Sequence, residues 1–66
     1  MKLKRIAEDA EIELSHDELL VLNAALNEVC NGIDMFEFET RIGAPRANVE
    51  RLLAEIQAAL DQIEKR

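Results

Sequence analysis

The chain has 66 residues, 48% apolar and 33% charged, with 14 acidic against 8 basic side chains and a net charge of −6. This length bounds it to one domain with a small core, and its one cysteine, Cys30, excludes an intrachain disulfide. No apolar run reaches membrane-spanning length, and the basic start, Met1–Arg5, leads into acids rather than an apolar segment, so neither a membrane span nor a signal peptide is expected.

A free cysteine without a secretion signal implies a reducing, cytoplasmic setting. A core this small also invites self-association, and a homodimer would enlarge it. The charge is laid out unevenly. Residues 1–5 carry three Lys or Arg; from Ile6 to Thr40 there are ten acids and no Lys or Arg; from Arg41 to Arg66 five basic residues meet four acids. The acid-only span repels phosphate backbones and favours a basic partner.

Taken in order, Leu3, Ile6, Ala7 and Ala10 have helical spacing, which predicts a short amphipathic helix. Glu11 to Leu14 alternate polar and apolar and read as an extended, loosely packed link. The other solution for residues 1–14 is a strand that pairs with its copy in a dimer. Ser15 and Glu18 make a capping box, S-x-x-E, with Leu14 as a staple against Leu19. The helix they start runs along Leu19, Leu22, Leu26, Val29 and Ile33, and Asn31-Gly32 ends it with Gly32 in a left-handed cap.

Asp34 is expected to cap the next helix, with Glu37 at the capping-box position and Met35, Phe38 and Ile42 on one side. Gly43 stops that helix, and Pro45 suits the first position of the last one. There, Val49, Leu52, Leu53, Ile56, Leu60 and Ile63 form the apolar seam. Arg46–Glu50, Arg51–Glu55 and Asp61–Lys65 stand at i,i+4, each pair worth about 0.2–0.5 kcal/mol.

Catalytic and metal chemistry find no constellation. His16 and Cys30 sit at opposite ends of one predicted helix, about 20 Å apart at 1.5 Å per residue. They cannot pair as nucleophile and base or share a metal. No phosphate loop, nucleotide fingerprint, calcium loop or metalloprotease helix is present. The expectation is therefore a non-enzyme without cofactor or metal. The acids make better sense as a recognition surface. Asp17, Glu18 and Glu28 lie on or near the central helix, and Asp34, Glu37 and Glu39 surround the short one. Met35 and Phe36 would supply an apolar anchor inside an acidic rim.

Residues Phe38 to Leu53 (FETRIGAPRANVERLL) resemble the helix-turn-helix motif of bacterial regulators. Phe38, Ile42 and Gly43 match its first helix and turn; Val49 with Leu52 or Leu53 matches the packing side of its second. The resemblance implies DNA contacts from Arg46, Asn48 and Arg51 beside Pro45. Ala44-Pro45 replaces the motif's usual polar cap, and Glu50 brings a negative charge into the recognition helix.

The fold expected from these readings is all-α, a small three- to four-helix bundle of residues 1–66 with a helix-turn-helix-like corner. The leading functional expectation is a small acidic protein-interaction module binding a basic protein surface: an inhibitor, immunity factor or regulatory adaptor. A DNA-binding regulator is the second reading, and a soluble structural domain without catalytic role the third.

Overall fold

In the computed structural model, which describes residues 1–66, the N-terminal segment is a β-hairpin: β1 (Lys2–Ile6) pairs antiparallel with β2 (Ala10–Glu13). The all-α helical bundle is therefore overturned, and the fold is mixed: a two-stranded sheet followed by α1 (His16–Asn27), α2 (Phe38–Ile42) and α3 (Arg46–Glu64). The helical spacing of Leu3 and Ile6 has another cause. The register runs Lys2–Glu13, Leu3–Ile12, Arg5–Glu11 and Ile6–Ala10, so Lys4 is an extra residue in a β-bulge. One inserted residue turns a spacing of three into the same face of a strand. Leu3, Ile6, Ala10 and Ile12 accordingly share one face, while Lys4–Glu13 (3.9 Å) and Arg5–Glu11 (3.8 Å) form ion pairs.

The capping box at α1 forms as its residues dictate. The Glu18 amide donates to Ser15 Oγ at 3.2 Å, and the Ser15 amide donates to Glu18 Oε1 at 2.9 Å. At its far end α1 runs into a π-helical turn, Glu28–Gly32, where the Ile33 amide reaches back five residues to the Glu28 carbonyl at 2.9 Å. Gly32 is not in a left-handed cap. A Cβ there would lie 2.6 Å from the Glu28 carboxylate, so the missing side chain leaves room for Glu28 instead. The left-handed glycine is Gly43, with φ 88°, which ends α2 by donating its amide to the Glu39 carbonyl at 2.8 Å. Pro45 caps α3 one position ahead of its expected place, and Arg46 is the first helical residue.

α1 and α3 pack antiparallel. His16 Nε2 meets Glu64 Oε2 at 3.1 Å at one end of the pair; Arg46 reaches the Cys30 carbonyl at the other. The inward stripe of α1 and the π-helical turn that continues it is Leu19, Asn23, Leu26 and Cys30, and that of α3 is Val49, Leu53, Ile56 and Leu60. Both step by four, three and four, the spacing of one helix face. Phe38 completes the core against Cys30 and Val49, with Val29, Met35 and Ala44 packed around them. Leu52 and Ile63, counted in the expected α3 seam, flank it and remain exposed.

Only five residues are buried: Leu19, Cys30, Phe38, Val49 and Leu60. No residue of either strand is among them. The three i,i+4 pairs expected on α3 are not among the ion pairs formed, which join Met1 to Glu18, Lys4 to Glu13, Arg5 to Glu11 and His16 to Glu64. No helix is long and apolar enough to cross a membrane.

Candidate interaction surface

The segment from Glu28 to Glu39 is where local backbone rules are broken most often. Its π-helical turn widens the end of α1, a geometry that recurs at functional sites. Five residues on, Glu37 has φ 54° and ψ 50°, the chain's one left-handed residue that is not glycine. A residue with a Cβ pays roughly 1–2 kcal/mol for that conformation. The capping role expected of Asp34 is overturned by the same geometry: α2 starts after Glu37 with no side-chain cap.

This backbone turns two adjacent side chains opposite ways. Met35 is half-buried against the core, whereas Phe36 is 77% exposed. The same segment carries Glu28, Asp34, Glu37 and Glu39, all exposed and none in an ion pair. The result is an uncovered aromatic ring in a segment of uncompensated carboxylates.

Arg46 holds the segment to α3. Its Nη1 donates to the Cys30 carbonyl at 2.6 Å, and its guanidinium lies over the Phe38 ring, 4.4 Å from the centroid. A charge-assisted hydrogen bond and a cation–π contact thus join the π-helical turn, α2 and the start of α3. Sequence reading missed this clasp, because the partner is a backbone carbonyl that the π-helical turn presents. Its two neighbours in the sequence-based DNA set, Asn48 and Arg51, remain exposed on α3.

The other expected binding residues lie elsewhere. Asp17 and Glu18 are in the first turn of α1, about 15 Å along the helix from Glu28 at 1.5 Å per residue. Glu18 is engaged twice, in the capping box and with the Met1 ammonium. The ammonium first, and then the Ser15 amide, hold its carboxyl down at about 2. Structural engagement of this kind separates Glu18 from the free acids of the Glu28–Glu39 segment.

No cavity opens on the surface, and no three His, Cys, Asp or Glu side chains converge as metal ligands. The arrangement offers an external surface, with an apolar knob and negative charge, rather than an enclosed site. Comparisons with protein families, curated proteins and solved structures found no match to this chain.

Proposed function

We propose that the protein is a small acidic interaction module whose Glu28–Glu39 segment docks on a basic surface of another protein. The observation that carries this reading is Phe36, exposed beside a left-handed Glu37 in a segment whose carboxylates have no ion partners. Aromatic residues enclosed by a polar rim are the usual energetic centres of interfaces. The acids would steer a cationic partner and fix its register, and Phe36 would supply the desolvated anchor. Inhibitor, immunity factor and regulatory adaptor are the roles that fit such a surface. The buried Cys30 thiol supports a reducing, cytoplasmic setting for this work.

The engagement of Arg46 favours protein over DNA as the partner. A guanidinium spent on the Cys30 carbonyl and the Phe38 ring is not free to reach a phosphate or a guanine edge. Crosslinking from a photoreactive residue at position 36, in native lysate at low and high salt, tests the reading. The expected product is a basic protein captured at low salt and lost with Glu37→Arg and Asp34→Lys. Capture of nothing, or capture indifferent to those charges, would overturn it. Salt-sensitive duplex binding abolished by Arg51→Glu would transfer the function to DNA.

A further inference from the structure

The hairpin is built as an amphipathic sheet with nothing on its apolar side. Leu3, Ile6, Ala10 and Ile12 share that face, and Ile6 is 72% exposed, Leu3 53% and Ile12 46%. An isolated two-stranded hairpin is marginal in water and needs more strands or a packed face to persist. Its own chain does not cover it, since no residue of either strand is buried.

The chain as a whole is more exposed than a closed domain of its mass. The chain exposes 5390 Å² at 7.5 kDa. A folded monomer of that mass exposes about 4,200 Å² by the usual scaling of surface with mass. The excess, roughly 1,200 Å², belongs to the whole chain, the hairpin face being one part of it, and is of the order of the 800 Å² that each partner contributes to a standard interface. The radius of gyration agrees: 13.3 Å against about 11 Å for a closed domain of this length.

Charge decides how a second copy can cover that surface. β1 carries Lys2, Lys4 and Arg5 and no acid; β2 carries Glu11 and Glu13 and no base. Symmetric edge pairing, β1 on β1 or β2 on β2, sets like charges opposite each other. Pairing β1 with a neighbour's β2 matches charge but is head-to-tail, and does not close on two copies. Packing face to face leaves every charge outside and joins two identical apolar faces, which is what a two-fold axis requires. We propose that the Leu3, Ile6, Ala10 and Ile12 face is the interface to a second copy of this chain, forming a four-stranded, two-layer β-sandwich at the centre of a homodimer.

Sedimentation equilibrium of the full chain, over a wide concentration range, tests this. The expected mass is twice 7.5 kDa. Ile6→Glu and Ile12→Glu should each raise the dimer dissociation constant at least tenfold, as central anchors do, while the far-UV helical signal is kept. Phe36→Ser, which removes the partner anchor proposed above, should leave the dimer intact, so the two readings fail separately. A monomer throughout, a dimer indifferent to both isoleucine substitutions, or a dimer lost with Phe36→Ser would each overturn the inference. An open series of larger oligomers, weakened by salt, would replace the face-to-face arrangement with head-to-tail pairing of β1 on a neighbour's β2. Should the isoleucine variants fail to fold, hydroxyl-radical footprinting of the unaltered chain decides. Protection of Leu3, Ile6 and Ile12 in concentrated over dilute protein is expected, and equal oxidation at both concentrations would refute it.

Discussion

Asn23 is the one polar residue on the inward stripe of α1, between Leu19 and Leu26. Its Oδ1 is buried and accepts no hydrogen bond. An unsatisfied buried polar atom costs about 1–3 kcal/mol, and apolar replacement of similar shape recovers most of that. Leucine is slightly larger than asparagine, and strain from overpacking would take back about 1 kcal/mol. Asn23→Leu should therefore stabilise the chain by up to about 2 kcal/mol. In a domain of this size each kcal/mol moves Tm by about 4–8 °C. A rise of up to roughly 15 °C is expected by far-UV circular dichroism, with variant and parent at equal concentration because association contributes to Tm. Asn23→Asp should move the other way, because it buries a charge in the same place. A lower Tm for Asn23→Leu would refute the reasoning: it would mean that Oδ1 is satisfied in solution and that the polar group specifies the helix pairing.

Arg46→Met keeps the side-chain stem but removes the bond to the Cys30 carbonyl and the contact over Phe38; urea denaturation should show a loss of about 2–3 kcal/mol. Arg46→Lys, which keeps a cation without the planar fork, should fall between. Gly43→Ala meets no atom within 4 Å, so its cost is the backbone alone, about 1–2 kcal/mol for φ 88°, read in the same assay. Glu18, depressed to about 2 in the folded chain, binds its proton more readily when unfolded. Its contribution is complete above the unfolded value of 4.5 and is lost as pH falls from there through about 2. An acid titration followed by circular dichroism should therefore show a shallower stability loss across that window for Glu18→Gln than for the parent.

The parts of the fold legible in the sequence are those set by local chemistry. The Ser15–Glu18 capping box and the stop at Gly43 follow from residue type and near neighbours, whereas the left-handed cap expected at Gly32 does not form. The hairpin was hidden because a bulge at Lys4 gave its strand a helix-like spacing. A signal was nonetheless present: a stretch with only basic charges followed by one with only acids, as antiparallel partners would have. Phe36 is exposed, and nothing local to Glu37 announces a left-handed conformation. Arg46 was misjudged for a different reason. Its i,i+4 partner Glu50 was visible in the sequence, whereas the competing Cys30 carbonyl is supplied by tertiary packing. Local reading sees the first kind of partner and not the second.

The π-helical turn at Glu28–Gly32 also makes the chain sensitive to length in a way that side-chain substitution cannot reproduce. A π turn holds one residue more than the α turn it replaces. Deleting Asn31 would let the ladder return to α spacing and would swing the following chain by about 100° around the axis of α1. Met35 and Phe36, opposite in their exposure now, would both be re-aimed relative to the core. One residue of surplus chain is thus a setting, fixed by length, for the direction in which the following side chains face.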